Sequence, residues 1–200
     1  MNTVIAICGD SGSGKTTLSN FLCEHLVNCV VLECDRYHRW ERGDFHWKYL
    51  SPLNILSNDT DSMIKDVELL KRGEAVKQRD YDHSNGKFTE PELIEPQDYI
   101  LVVGLHSIKV NADVNIFLDT QQDLKYIWKI NRDFKERGHS VDSIIDSIKN
   151  REIDFQNHIL PLKEQADIIV TNFWDGKPKR NIELINNNQT SQEIARILNE

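Results

Sequence analysis

The sequence predicts an α/β domain: a mainly parallel sheet with helices on both faces and a small hairpin or ribbon projecting from it. Three observations carry this. Apolar runs with strand character recur at Val4–Cys8, Val30–Cys34, Tyr99–Val103, Val114–Leu118 and Ile168–Thr171. Helical patterns lie between several of them, the alternation that builds parallel sheets with crossover helices. The first run leads straight into a glycine-rich turn and then a helix. Two hundred residues with 39% hydrophobic content suit one domain over 1–200 with a single core.

Val4–Cys8 is only five residues long and follows no basic segment, so it is expected to be a first strand and not a signal peptide or membrane span. After it comes Gly9-Asp10-Ser11-Gly12-Ser13-Gly14-Lys15-Thr16, the full G-x-x-x-x-G-K-[ST] pattern in its strand-to-helix setting. Glycines there let consecutive N–H groups curl around phosphate oxygens, and the next helix adds the positive end of its dipole. Lys15 is expected to reach the outer phosphates and the Thr16 hydroxyl to help hold Mg²⁺. The pattern is that of the P-loop NTPase type of fold and predicts a bound nucleoside triphosphate with Mg²⁺. The nucleotide set is Gly9, Asp10, Ser11, Gly12, Ser13, Gly14, Lys15, Thr16 and Thr17.

The helix after the loop runs from Thr16 to about His25. A second spans about Ser62 to Arg72, with Met63, Val67 and Leu70 on one face and Gly73 as its stop. Between Gly73 and Pro96, Asn85-Gly86, Pro91 and Pro96 break the pattern into a projecting hairpin or ribbon. Asp123–Arg137 reads as a long helix with Leu124, Ile127, Trp128, Ile130 and Phe134 inward and Lys125, Lys129, Arg132 and Glu136 along another face. Gly138 ends it, and Ser140 caps a further helix carrying Val141, Ile144, Ile145 and Ile148. Ile194, Ile197 and Leu198 suit a short terminal helix.

A net charge of −8 argues against a nucleic-acid or anionic-membrane partner, which demands a basic surface. The expected partner is a small molecule, with self-association into a homo-oligomer left open. Cys8, Cys23, Cys29 and Cys34 show no C-x-x-C pairing and read as buried hydrophobes in a reducing cytoplasm. With the seven histidines they make no recognisable zinc spacing. The lack of an N-K-x-D guanine-recognition sequence argues against a signalling GTPase.

Ligands of open α/β sheets lie beyond the carboxyl ends of the strands. Asp35-Arg36-Tyr37-His38-Arg39-Trp40-Glu41-Arg42 follows the second strand. A carboxylate there can take the proton of an attacking hydroxyl, and the neighbouring His and Arg residues can hold an anionic acceptor.

With these segments the chain resembles the phosphoribulokinase/uridine kinase family, most closely its plant and cyanobacterial phosphoribulokinase type. The resemblance runs from about Ile5 to Val170. Besides the loop and Asp35-Arg36-Tyr37-His38, it rests on Leu69–Val76, Tyr81-Asp82-His83-Ser84-Asn85-Gly86, Pro91–Pro96 and Gly104-Leu105-His106. It continues through Trp128–Asp133, Glu136–Ser140, Ile159-Leu160-Pro161 and Ala166-Asp167. The resemblance implies an ATP-dependent kinase with Asp35 as general base beside Lys15 and Arg132 as catalytic residues. It implies His38, Arg42, Tyr81 and His83 at the acceptor, Lys129 and Arg132 on the transferring phosphoryl group, and Arg137 with the nucleotide.

Three departures qualify the substrate. The family's acidic residue before Gly-Leu-His is replaced by Val103, which cannot ligate Mg²⁺; Asp133, Glu33 or Asp35 is the candidate to compensate. Ser13 stands where thiol-regulated plant enzymes carry a loop cysteine. The chain also runs only a short way past the kinase core. A pentose phosphate is the expected acceptor, with uridine or cytidine as the alternative and a catalytically impaired nucleotide-binding regulator as the third reading.

Overall fold

The computed structural model describes every residue except 136, 137, 139 and 200. Its central sheet is built from β1 (Thr3–Gly9), β2 (Cys29–Glu33), β7 (Tyr99–Gly104), β8 (Val114–Thr120), β9 (Ile168–Trp174) and β10 (Pro178–Leu184). The strand order is β10-β9-β8-β1-β7-β2, parallel except for β10, which pairs antiparallel with β9 at one edge. The predicted strands are therefore present, and each of β8 and β9 extends past its apolar run into polar residues. The edge strand β10 was not predicted, because Pro178–Leu184 alternates too weakly to show against its polar surroundings.

Alternation along β1 explains the layers. Val4, Ala6 and Cys8 face one core together with Met63, Val67 and Leu70 of α2 (Thr60–Lys71). Ile5 and Ile7 face the other, with Leu18 and Leu22 of α1 (Lys15–His25) and Ile194 and Leu198 of α5 (Gln189–Leu198). A strand with both faces buried must be apolar throughout, and residues 4–8 are all fully buried.

The predicted projection consists of two small antiparallel pairs, β3 (Val76–Gln78) with β6 (Glu92–Ile94) and β4 (Tyr81–Asp82) with β5 (Lys87–Phe88). Gly86 closes the inner turn with φ 75°. A Cβ there would lie 2.2 Å from the Cβ of Arg42, so the turn packs directly on that arginine.

Two expectations are corrected. The helix α3 (Gln122–Lys135) is rotated from the predicted face: Leu124 is buried as expected and Trp128 and Ile130 are half-buried, but Lys125, Lys129 and Asp133 are buried too, while Ile127 and Phe134 are 53% and 56% exposed. The polar face wins the interior because it meets the phosphate-binding loop, which supplies partners for its charges. The second correction concerns the cysteines. Cys8 and Cys34 are buried and free, but Cys23 and Cys29 form a disulfide, since the short turn from α1 into β2 brings their Cα atoms to 5.4 Å. The helix α4 (Val141–Asp154) follows its predicted cap, with Ser140 accepting from the Ser143 N–H. Among the described residues no helix is long and apolar enough to cross a membrane.

Candidate active site

The loop between β1 and α1 folds as its glycines require. Gly9, Gly12 and Gly14 have φ of 152°, 83° and 95°. A Cβ at Gly9 would come within 2.7 Å of the Leu118 carbonyl, and one at Gly12 within 2.9 Å of Lys129 Cβ. Gly14 is the N-cap of α1, and no side chain caps that end. The N–H groups of the first turn, where Lys15, Thr16 and Thr17 lie, thus have no helical acceptor and suit an anion.

From the far side Thr120 Oγ1 donates to the Ser13 carbonyl at 2.9 Å, and Asn172 Nδ2 donates to the same oxygen at 3.2 Å. Lys15 Nζ donates to the carbonyls of Gly9 and Asp10 at 2.9 and 2.8 Å. Burial lowers the Lys15 pKa, with the Asp10 charge opposing. A narrow backbone cradle, an uncapped helix end and a half-buried ammonium together fit a polyphosphate.

Asp35 lies in the single turn Cys34–Tyr37 that follows β2. Its carboxylate sits 3.0 Å from His83 Nε2 and 3.5 Å from His38 Nε2. Burial alone would raise this carboxyl, but the charges of His38, His83 and Lys15 outweigh it and hold Asp35 well below the usual carboxylate range. His38 is itself buried, with Nδ1 2.8 Å from Asn58 Oδ1, so its ring is fixed. The Tyr81 ring meets His38 edge-on at 5.3 Å and His83 at 5.2 Å, and Trp47 packs on His38 at 5.8 Å. The structure thus brings Asp35, His38, Tyr81 and His83 into one cluster.

Arg42 joins that cluster by holding the hairpin. Its Nη2 donates to the His83 carbonyl at 2.7 Å, and its backbone N–H donates to Gly86 O at 2.7 Å. The arginine therefore sets where His83 stands.

On α3, Lys129 Nζ donates to Asp133 Oδ2 at 2.7 Å and Arg132 Nε donates to Asp133 Oδ1 at 2.8 Å. Lys129 also reaches Ser11 Oγ at 3.4 Å. Burial lowers the Lys129 pKa to about 8 although Asp133 opposes it. Burial pushes Asp133 up, but Lys129 and Arg132 outweigh it and hold it at about 2. Both oxygens of Asp133, a candidate metal ligand, are thus engaged by neighbouring cations. Arg137 and Glu136 lie outside the described residues. Among the described residues no group of three or more His, Cys, Asp or Glu side chains is placed to hold a metal. A phosphate-bound Mg²⁺ takes most of its ligands from phosphates and water, so a site without such a cluster can still receive it.

Val103 is 5% exposed at the end of β7, in register with Ile7 and Glu33, and packs with Leu18 and Leu22 beneath α1. Glu33 beside it has a raised pKa, from burial first and then the Asp35 and Asp80 charges. The sequence reading missed Thr120, Asn172, Asn58 and the Lys125 contact with the loop. Thr120 and Asn172 carried a usable signal, since both lie just past apolar runs, where α/β sites gather.

A profile of the Phosphoribulokinase / Uridine kinase family matches residues 4–177. The chloroplastic phosphoribulokinase of Spinacia oleracea is 34% identical, over 84% of this chain and 48% of its own length. A uridine kinase of Staphylococcus haemolyticus is 32% identical over 84% of this chain and 86% of its own. The chain thus spans about half the length of the plant relatives it matches. Among solved structures, a phosphoribulokinase from Rhodobacter spheroides superposes with a TM-score of 0.63 and 25% identity, covering 86% of this chain and 70% of the other.

Proposed function

The chain belongs to the phosphoribulokinase/uridine kinase family, and from that premise we propose that it transfers the γ-phosphoryl group of ATP to a hydroxyl of a pentose phosphate. The observation that carries this is the Asp35 carboxylate, kept ionised between His38 and His83 at the end of β2, beside the phosphate cradle. As the acceptor oxygen bonds to phosphorus, the bond to the leaving ADP oxygen breaks and the hydroxyl proton passes to Asp35. A carboxylate this acidic is a weak base, which suits a loose transition state in which the proton moves late. Lys15, Lys129 and Arg132 meet the charge spread over the transferring oxygens.

Bound Mg²⁺ supplies further positive charge at the phosphates. Thr16 would hold it, with Asp133 in reserve if Lys129 and Arg132 turn to the phosphoryl group. The remaining loop residues Gly9, Asp10, Ser11, Gly12, Ser13, Gly14 and Thr17 would line the nucleotide with their backbone N–H groups, and Arg137 is the further nucleotide contact that the family membership implies. Arg39 is exposed and Arg42 half-committed to the hairpin, so both can take the acceptor's phosphate.

A second reading, a uridine or cytidine acceptor, is favoured by one observation. His38 and His83 meet the Asp35 carboxylate, with Tyr81 packed on both rings and Trp47 on His38, and such a ring cluster suits a base or an apolar sugar face. ADP release from Mg·ATP across ribulose 5-phosphate, other pentose phosphates, uridine and cytidine decides between them. Turnover confined to pentose phosphates is the expected result, and turnover confined to nucleosides overturns it. Bound ATP with no turnover on any acceptor supports a regulator that has lost catalysis.

A further inference from the structure

Asp10 places a full negative charge inside a loop that must receive a polyphosphate. Its side chain is only 15% exposed, so water screens it poorly. Oδ1 accepts from the Ser11 N–H at 2.6 Å, and Oδ2 accepts from Lys125 Nζ at 2.5 Å. Lys125 comes from the first turn of α3, 115 residues away in the chain, and its side chain is 10% exposed. Its ammonium also lies 4.6 Å from the centroid of the Phe155 ring, just beyond α4. One cation therefore ties the front of the loop to two helices. Asp10, Ser11, Lys125, Lys129, Arg151 and Phe155 line the cleft at that point.

A helix face directed at Phe155 would be covered as well by an apolar side chain, without the desolvation penalty of a buried ammonium. What an apolar side chain cannot do is neutralise Asp10. We propose that Lys125 is a positioning residue for nucleotide binding, cancelling the Asp10 charge that would otherwise repel the triphosphate and holding the loop's leading edge. It acts through Asp10 and does not touch the reacting atoms. The inference rests on the ATP reading above.

The test is the Mg²⁺-dependent affinity of the whole chain for ATP, ADP and AMP, measured by titration calorimetry. Lys125→Met should weaken ATP about tenfold, because Asp10 then loses its direct ion pair and keeps only the attraction of Lys15 and Arg151. ADP should lose less and AMP least, because repulsion grows with phosphate charge. Lys125→Arg should keep wild-type affinity within about threefold, and Asp10→Asn added to Lys125→Met should restore it to the same range. Should Lys125→Met fail to fold, the double variant, which holds no unpaired charge, carries the test alone. Affinity within about threefold of wild type then supports the proposal, and a tenfold loss overturns it. Wild-type ATP affinity in Lys125→Met, or an equal loss for all three nucleotides that Asp10→Asn leaves unrepaired, also overturns it. A wild-type chain that binds no ATP defeats the nucleotide reading itself, and this inference with it.

Discussion

Asp35 shows how a half-buried residue can keep its charge. Desolvation works against the anion, yet two imidazoles within 3.5 Å and the nearby Lys15 ammonium reverse the balance. If it is the base, Asp35→Asn should lower kcat by about 100-fold or more while leaving ATP affinity within about threefold, because an amide keeps the size and loses the proton acceptor. Steady-state kinetics beside calorimetry would check this, and a normal kcat would remove Asp35 from the chemistry. His106 makes the opposite case. It is 2% exposed, and burial, with the His158 charge adding, lowers its pKa from 6.5 to about 4. The unfolded chain then binds the extra proton between those values, so His106 contributes stability that is complete above pH 6.5 and lost as pH falls to 4. The contribution is of order 3 kcal/mol at neutral pH. Chemical denaturation of wild type and His106→Asn should show that acid-side decline only in the wild type; parallel curves would count against it.

At the scale of the element, α3 is where sequence patterning misleads and where the site depends on it most. An apolar stripe normally faces the core because water is the only alternative partner for the polar one. Here the loop offers Asp10 and Ser11 to the polar face, so Lys125, Lys129 and Asp133 turn inward and Ile127 and Phe134 outward. Nothing in a periodic pattern reports such a partner 115 residues away. The strands were legible for the converse reason: burial on both faces leaves no polar position to confuse the run. The loop was legible because its spacing encodes backbone geometry that only glycine tolerates. This orientation makes a prediction about stability. Ile127→Ser should change unfolding free energy by no more than about 0.5 kcal/mol, as expected for an exposed position. A core isoleucine would lose about 2–5 kcal/mol on truncation. Urea melts separate the two, and a loss in the larger range would return α3 to the orientation its sequence suggests.

Across the whole molecule, the sheet order gathers residues that the sequence scatters. The loop after β1, Asp35 after β2, Thr120 at the end of β8 and Asn172 near the end of β9 all emerge at one edge of neighbouring strands. Their grouping follows from parallel topology, which points every strand's carboxyl end the same way. Val103 is the exception at that edge, with an apolar side chain 5% exposed under α1 and no contact to make with a phosphate. Introducing a carboxylate there tests how the whole site is balanced. In the absence of nucleotide, Val103→Glu should lower stability by about 1–3 kcal/mol, because the new carboxyl has no partner among Ile7, Leu18 and Leu22. If the Mg²⁺ position adjoins this strand end, Mg·ATP should recover more stability in the variant than in the wild type, since the ion gives the carboxylate a partner that only the bound state provides. Thermal shifts with ATP alone, Mg²⁺ alone and both together measure that difference. Equal ligand-induced shifts in the two proteins would place the ion away from β7 and leave Thr16 as its protein ligand.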